Sequence, residues 1–246
     1  MTPSTTGTEI SAIAIVRAPA KLTLSLRVTG VRDDGYHLLD AEMVTVDLFD
    51  TLSFRDGDGL EITGAGAGLP VDDTNLVRRA LALAERRAHV QVDKRIPPGA
   101  GLGGGSADAA AVLRWAGITD TAAAATLGAD VPFCLVGGRA RVRGIGEVVE
   151  PLAFEPAAYT LVIPPFGCAT AEVYRRWDAL GGPHAGAGGN DLEAAALEVE
   201  PRLAAVRDRL RAATGRTPRL AGSGSTWFVE GEHPGDERIV VHAVDR

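Results

Sequence analysis

The stretch between Lys94 and Leu113 most constrains how this chain can fold. It reads Lys94-Arg-Ile-Pro-Pro-Gly-Ala-Gly-Leu-Gly-Gly-Gly-Ser-Ala-Asp and continues into alanines of high helix propensity. Glycine permits a positive φ and a close approach of the backbone to a ligand, and the first N–H groups of a helix lack internal partners. The stretch therefore predicts a phosphate-binding loop that opens a helix running from about Ser106 to Trp115.

Composition narrows the classes of protein that this chain can belong to. With 246 residues, 46% of them hydrophobic, it has ample material for a core. The net charge of −7, with no basic stripe, argues against nucleic acid as a partner. No apolar run approaches the ~18 residues of a membrane span, and the polar start, Met1 to Ile10, reads as a frayed tail rather than a signal peptide. Two cysteines without a CxxC pair indicate a reducing cytoplasm.

The order of predicted elements indicates an α+β fold. Strands dominate the N-terminal half, at 13–16 and 22–28 and, as one or two strands with a break near Phe49-Asp50, at 38–54; helices follow. Thr74 or Asn75 is expected to cap a first helix that runs to about Ala88. We expect a seam near residues 150–156, dividing an N-terminal lobe (1–150) from a compact C-terminal α+β lobe (151–246). Within the second lobe, the low-complexity segment from Gly181 to Gly189 is expected to be mobile.

Two common phosphate loops fit the glycine-rich stretch poorly. A Walker A loop is excluded because no lysine follows the glycines. Gly99-Ala-Gly101-Leu-Gly-Gly104 satisfies the dinucleotide pattern G-x-G-x-x-G, but a single match of this kind is weak evidence. Pro97-Pro98 interrupts the feeding strand, and no early βαβ unit surrounds the match, so the dinucleotide interpretation is disfavoured.

The pattern Pro97-x-x-x-Gly101-Leu-Gly-Gly-Gly-Ser106-Ala resembles the phosphate-binding motif of the GHMP kinases. In most of that superfamily two serines stand where this chain has Gly104 and Gly105, and the glycine pair resembles the branch that phosphorylates 4-diphosphocytidyl-2-C-methyl-D-erythritol. Four further blocks, in the same order as in that branch, span residues 18 to 226. They are Ala18-Pro-Ala-Lys21-Leu-Thr-Leu, Arg32-Asp-Asp-Gly-Tyr36-His37, Leu127-Gly-Ala-Asp130-Val-Pro-Phe and Ala221-Gly222-Ser-Gly224-Ser-Thr226.

The resemblance implies a GHMP kinase fold with an N-terminal lobe like the second domain of ribosomal protein S5. It implies an ATP-dependent kinase that uses Mg²⁺, without a built metal cluster, in non-mevalonate isoprenoid biosynthesis. The implied substrate is a cytidine diphosphate sugar alcohol, and the implied state a monomer or weak homodimer. The residues expected to bind ATP are Pro98, Gly99, Ala100, Gly101, Leu102, Gly103, Gly104, Gly105 and Ser106.

Two residues are implied to be catalytic. Asp130 matches the acid/base that accepts the proton of the attacking hydroxyl, although an Asp before Val-Pro is also a common helix N-cap. Lys21 matches the residue that keeps this carboxylate charged and steadies the developing phosphoryl charge. The alternative interpretation of Lys21 is an outward-facing lysine on a strand that alternates apolar and polar residues.

The resemblance also implies substrate contacts. Tyr36 would stack on the cytosine, and His37 would form hydrogen bonds with its edge. Tyr174 would be the second stacking residue or, as an alternative, a core residue at a helix start.

The remaining candidate contacts each have two interpretations or a supporting role. Thr170 caps the helix that contains Tyr174 or touches the substrate, and Asn75 is a cap or lines the nucleoside pocket. Gly222, Ser223 and Gly224 would close over the transfer site, and Ser106 is an N-cap or a phosphate or Mg²⁺ contact.

Two rival functions remain open from sequence. One is a GHMP kinase for another small alcohol, such as homoserine or mevalonate, which the Gly104-Gly105 and Tyr36-His37 pairs disfavour. The other is a non-catalytic nucleotide-binding relative, which the presence of both Lys21 and Asp130 disfavours. The stretch between Trp115 and Leu127 is shorter than is typical of the family, and we expect a helix there to be trimmed or absent.

Overall fold

A computed structural model describes residues 13–182 and 189–245. The polar first residues and most of the glycine-rich segment from 181 to 189, for which the sequence predicted fraying and mobility, lie outside these described residues. Within the described ranges the chain forms ten strands and seven helices. No helix in those ranges is long and apolar enough to cross a membrane.

The first sheet is built around one long central strand. Its members are β1 (Ala14–Val31), β2 (His37–Arg55), β3 (Gly59–Gly64), β4 (His89–Lys94), β5 (Arg139–Gly144) and β6 (Val148–Pro151). β1 pairs antiparallel along one edge of β2. The other edge of β2 is shared, because β4 pairs with residues 51–55 and β5 with residues 39–44. β3 joins β4 in parallel, and β6 joins β5 antiparallel.

The predicted interruptions of the first strands are wrong. β1 and β2 each run unbroken, and the register between them shifts between Pro19 and Lys21 instead. A β-bulge absorbs an extra residue without ending the strand, so it tolerates the local sequence that looked like a break. Opposite this bulge, Phe49 and Asp50 continue β2. The bulge therefore lies where Lys21 enters the site described below.

A second, antiparallel sheet follows along the chain. It has the strand order β10-β7-β9-β8, with β7 (Ala158–Val162), β8 (Arg219–Leu220), β9 (Trp227–Glu230) and β10 (Ile239–His242). The chain passes from the first sheet to the second between Pro151 and Ala158. The predicted α+β layering is confirmed: strands pair mainly with strands nearby in sequence, and the helices cover the sheets.

The helices are α1 (Leu76–Leu83), α2 (Gly104–Trp115), α3 (Thr121–Ala125), α4 (Val131–Val136), α5 (Thr170–Ala179), α6 (Glu193–Val199) and α7 (Arg202–Thr214). α2 is the central helix and contacts β1, β2, α1 and α4. Every residue from Ala107 to Leu113 is buried, so the helix is covered on all sides. Small alanines permit this close packing, which fixes α2 against β1, β2 and the neighbouring helices.

Candidate active site

A cavity of about 490 Å³ opens at the N-terminus of α2. Both glycine-rich turns, β1, the start of α4 and α5 contribute to its walls. The predicted site residues that line it are Lys21, each residue from 98 to 106, Asp130, Thr170, Tyr174, Gly222 and Ser223. The structure thus brings together the predicted catalytic pair and the whole predicted ATP loop. Tyr36, His37 and Gly224 are not part of this lining.

The phosphate loop ends in a left-handed residue, and the helix begins earlier than predicted. Gly103, at φ +68°, is the N-cap of α2, which starts at Gly104 rather than at Ser106. The helical ladder opens with the bond from the Ala107 N–H to the Gly103 carbonyl. The N–H groups at 104, 105 and 106 precede that bond, so they project from the positive end of the helix dipole. Ser106 is therefore inside the first turn and is not a cap.

The two glycine-rich turns pack directly against each other. A Cβ on Gly101, at φ +76°, would lie 2.4 Å from the Ala221 carbonyl oxygen and 2.6 Å from that of Gly224. The Thr226 N–H donates to the Ala100 carbonyl at 3.2 Å. Only glycine fits at position 101, because both neighbouring atoms belong to backbone. Gly224 therefore acts by shaping this contact, although it does not line the cavity.

The second glycine-rich turn is anchored by the buried side chain of Asn190. Asn190 is 2% exposed, and its Nδ2 donates to the carbonyls of Leu220 at 2.9 Å and Gly222 at 2.7 Å. Its Oδ1 accepts from the Leu192 N–H. A buried amide with all these partners fixes backbone that has no regular ladder of its own. Asn190 therefore holds the turn around Gly222 in place.

Lys21 and Asp130 meet at the floor of the cavity. The Lys21 Nζ lies 3.4 Å from the Asp130 Oδ2 and donates to the Thr23 Oγ1 at 3.1 Å. Lys21 is only 4% exposed, so the alternative of an outward-facing lysine is wrong. The Asp130 side chain is 32% exposed and lines the cavity. It occupies the N-cap position of α4 but makes no capping hydrogen bond, which leaves the carboxylate available to a ligand.

Thr170 and Tyr174 extend the cavity along α5. Thr170 is the first residue of α5 and not its cap, and its hydroxyl is 2.9 Å from the Ser223 hydroxyl. This contact ties the helix to the second glycine-rich turn. Burial raises the pKa of Tyr174, and the nearby Asp130 carboxylate adds to the shift. Tyr174 is therefore a neutral phenol with one face on the cavity that Asp130 also lines.

Tyr36 and His37 differ in their surroundings. Tyr36 is 60% exposed, in the turn between β1 and β2. The His37 ring instead packs on Tyr174, with centroids 4.6 Å apart and planes tilted by 36°. His37 thus lies behind Tyr174, which lines the cavity. The stacking role of Tyr36 stays a prediction.

Sequence reasoning missed a buried charged cluster beneath the phosphate loop. The Lys94 Nζ lies 2.6 Å from Asp50 and 2.5 Å from Asp108, and all three side chains are almost fully buried. Burial by itself would lower the pKa of Lys94, but Asp108 and Asp50 outweigh burial and raise it. Burial raises the pKa of Asp108. A sequence signal was present for Asp108, which lies between two alanines, but not for Lys94, whose neighbours Asp93 and Arg95 are both charged.

This cluster joins three elements under the cavity. Asp50 belongs to β2, Lys94 ends β4 and Asp108 lies in α2. The Asp50 Oδ1 also accepts from the N–H groups of Arg95 and Ile96, at 2.6 and 2.8 Å, where the loop leaves β4. A buried ion cluster is costly to break by removing one partner, so it fixes the starting direction of the phosphate loop.

The two cysteines are not positioned for chemistry. Both are buried, and burial raises the pKa of Cys134 to about 12 and also raises that of Cys168. A thiol in this state is a small apolar side chain and a poor nucleophile at neutral pH.

Asn75 has both of the roles that the sequence analysis offered as alternatives. It caps α1 by accepting from the Val77 N–H at 2.9 Å, and it lines the cavity.

Comparison with known proteins agrees with this geometry. The model of the GHMP kinases N terminal domain matches residues 75–138. The 4-diphosphocytidyl-2-C-methyl-D-erythritol kinase of Paracoccus denitrificans (strain Pd 1222) is 41% identical over 233 residues, which cover 86% of this chain and 84% of that protein. The chain belongs to the 4-diphosphocytidyl-2-C-methyl-D-erythritol kinase family.

Further relatives place this family in its structural context. A 4-diphosphocytidyl-2-C-methyl-D-erythritol kinase from Paramagnetospirillum magneticum (strain ATCC 700264 / AMB-1) is 37% identical, over 87% of each chain. A crystal structure of 4-(cytidine 5'-diphospho)-2C-methyl-D-erythritol kinase superposes with a TM-score of 0.74 at 33% identity, over 94% of this chain and all of that one. Homoserine kinase from Cytophaga hutchinsonii, at 18% identity and a TM-score of 0.63, shares the fold. The predicted GHMP kinase fold is thereby confirmed.

Proposed function

We propose that the protein transfers the γ-phosphoryl group of ATP to the 2-hydroxyl of 4-diphosphocytidyl-2-C-methyl-D-erythritol, a step of isoprenoid precursor synthesis. One observation carries the proposal. The Lys21–Asp130 pair, with Nζ and Oδ2 3.4 Å apart, faces the same cavity as the unpaired start of α2. A proton acceptor and an anion site therefore border one space, which is what in-line phosphoryl transfer to an alcohol needs.

The ATP phosphates would bind at the first turn of α2. The N–H groups of residues 104–106 and the helix dipole attract anionic oxygens. Gly103 brings this backbone close to Lys21, since a Cβ at position 103 would lie 2.8 Å from the Lys21 Cγ. The ammonium at this point stabilises the charge that spreads over the transferring phosphoryl oxygens.

Asp130 would accept the proton of the attacking hydroxyl. As the new O–P bond forms and the bond to the ADP oxygen breaks, the hydroxyl proton passes to the carboxylate, and the leaving electron pair stays on ADP. Lys21 holds Asp130 in place through their ion pair, and the bond to Thr23 in turn orients Lys21. This arrangement makes the reaction mainly one of positioning and electrostatics.

The oxygen donors at the site fit Mg²⁺. No group of three His, Cys, Asp or Glu side chains suited to a metal occurs in the part of the chain that the structure describes. Mg²⁺ in kinases is held largely by substrate phosphates and water, with one or two protein oxygens. The hydroxyl of Ser106, a residue that lines the cavity, would supply one of these oxygens. The ion, when bound, neutralises phosphate charge.

The substrate identity is supported by the relatives' names and by the aromatic rim of the cavity. Tyr174 lines the cavity, and His37 packs on it. An aromatic face with a hydrogen-bonding imidazole beside it suits a pyrimidine base. Tyr36, which is exposed in the turn just before His37, remains the other proposed stacking partner of the cytosine.

A substrate panel tests the proposal. ADP release is measured with Mg-ATP and, separately, 4-diphosphocytidyl-2-C-methyl-D-erythritol, mevalonate and homoserine. Release with the cytidylated alcohol alone is the expected result. Release with one of the other alcohols would keep the kinase and reject the substrate. Binding of ATP without any release would reject catalysis and favour a nucleotide-binding regulator.

A further inference from the structure

One face of α5 holds the His37 ring at three points. The ring packs on Tyr174 at a tilt of 36°, meets Trp177 edge-on with centroids 5.6 Å apart, and places its Nε2 2.8 Å from the Asp178 Oδ1. Residues 174, 177 and 178 lie at i, i+3 and i+4, so they form one continuous helix surface. The His37 side chain is 13% exposed. Two aromatic contacts and one hydrogen bond therefore leave the ring a single orientation.

The bond to Asp178 also decides which ring nitrogen carries the proton. An ionised carboxylate can only accept, so Nε2 must be the N–H of the pair. In a neutral imidazole the other nitrogen is then a lone-pair acceptor. Carboxylates fix the tautomers of metal-binding histidines by the same geometry. With Asp178 in place, a neutral His37 presents its Nδ1 as an acceptor.

His37 lies beside the proposed substrate site. His37 and Leu39 are two residues apart on β2, so their side chains share a face of the strand. Leu39 lines the cavity, and so does Tyr174, on which His37 packs. The edge of a base that stacks near Tyr174 would therefore lie next to the His37 ring.

We propose that Asp178 is a positioning residue for base recognition, which makes the site prefer cytosine to uracil. The inference rests on the function proposed above. Cytosine carries an amine donor at C4, which an Nδ1 acceptor satisfies, whereas uracil carries a carbonyl acceptor there. Two acceptors facing each other in a dehydrated site leave both without a hydrogen bond. A site built to pair with a donor rejects the analogue that lacks it.

A purely structural role for the same contact makes a different prediction. Asp178 is 49% exposed, and an exposed ion pair contributes about 0–1 kcal/mol to stability. If the pair only held β2 to α5, its removal would lower stability slightly without changing the choice of base. The test must therefore measure base selectivity and the tautomer, besides activity.

Asp178→Asn tests the proposal, because the amide keeps the shape but can donate to Nε2 and so release the tautomer. Kinetics are measured with 4-diphosphocytidyl-2-C-methyl-D-erythritol and with its uridine analogue. We expect KM for the cytidine substrate to rise about tenfold, kcat to stay within about twofold, and the cytidine-to-uridine ratio of kcat/KM to fall about tenfold or more. Asp178→Glu should restore part of this ratio.

Glu172→Gln is the matched control, since Glu172 lies on the same helix and pairs with Arg175 at the surface. It should leave both substrates unaffected. Two-bond ¹⁵N–¹H correlation spectra of the histidine rings, with the His37 signals assigned from a His37→Gln variant, report the tautomer directly. The unaltered protein should show a protonated Nε2 and a bare Nδ1 at His37. Asp178→Asn should lose this single-tautomer pattern.

The outcomes separate the inference from the proposed function. If the unaltered protein phosphorylates the cytidine substrate but Asp178→Asn leaves KM and the base ratio unchanged, the inference is wrong and the function stands. A protonated Nδ1 at His37 in the unaltered protein would also overturn the inference. If the unaltered protein phosphorylates neither substrate, the proposed function fails and the inference falls with it.

Discussion

At the residue scale, the site depends on a lysine that is buried inside a strand. Lys21 is held by an N–H donated to the Leu102 carbonyl, by Thr23 and by Asp130. A buried ammonium is tolerated only when it is paired and hydrogen-bonded, so its partners are fixed by necessity. The register of β1 against β2 shifts between Pro19 and Lys21, directly before this lysine, which lines the cavity.

Asp130→Asn tests the proposed proton acceptor, because the amide keeps the size of the side chain but cannot take up the hydroxyl proton. We expect kcat to fall by about 10²- to 10⁴-fold, the usual contribution of a general base. The Kd for ATP, measured by calorimetry, should stay within about twofold.

The matched control is Asp120→Asn. Asp120 caps α3 by accepting from the N–H groups of Ala122 and Ala123, and asparagine caps equally well. This variant should retain full activity. Substantial turnover by Asp130→Asn would show that another group accepts the proton.

At the element scale, the two glycine-rich turns act as one unit. Gly101 packs on the backbone of 221–224, the Thr226 N–H bonds to Ala100, and Asn190 secures the second turn from behind. Neither turn has a sheet or helix ladder to hold it. Their mutual contact therefore sets the shape of the cavity wall.

Gly101→Ala should disrupt this unit. The new methyl group would meet two carbonyl oxygens at 2.4 and 2.6 Å, so the second turn must move. We expect kcat/KM to fall about tenfold or more, since small displacements of positioning groups are costly in phosphoryl transfer. Steady-state kinetics with both substrates would measure this loss.

Gly117→Ala separates crowding from backbone strain. Gly117 has nearly the same positive φ, +79°, but nothing lies within 4 Å of its added Cβ. The control should lose about 1 kcal/mol of stability from the left-handed conformation and retain its activity. Equal activity losses in the two variants would contradict a specific role for the contact between the turns.

At the scale of the whole molecule, the two sheets share a core. One buried cluster contains Leu22 and Val44 from the first sheet, Leu102 from the phosphate loop, and Leu161 and Phe228 from the second sheet. Beyond β10, the Val244 N–H donates to the Thr45 carbonyl on the part of β2 that lies between its β4 and β5 pairings. Shared burial of this kind couples the folding of the two sheets.

We therefore expect a single cooperative unfolding transition. Two variants would each keep one tryptophan, with Phe at the other two positions: Trp115, which stacks on Phe54, or Trp227, which is buried in the second sheet. In urea, the fluorescence midpoint of each variant should coincide with its far-UV circular dichroism midpoint. Separate midpoints would show that the two sheets unfold independently.

Much of the molecule follows from local sequence pattern. The strand from Trp227 to Glu230 and the restart of a helix after Pro201 agree with the structure, because turn residues and apolar periodicity are local signals. The phosphate loop was found in the same way, since glycines followed by alanines specify a turn and a helix. The pairing of Lys21 with Asp130 came from family resemblance, as they lie 109 positions apart and no periodicity links them.

Tertiary structure alone decided the rest. The Asp50–Lys94–Asp108 cluster, the seating of Gly101 against residues 221–224, and the bond from His37 to Asp178 all join segments far apart in sequence. Local propensity carries no information about such contacts, because it reports only what a residue does to its own stretch of backbone. The sequence by itself determined the elements and the type of chemistry. The packing of those elements determined which charges are buried together and which side chains face the cavity.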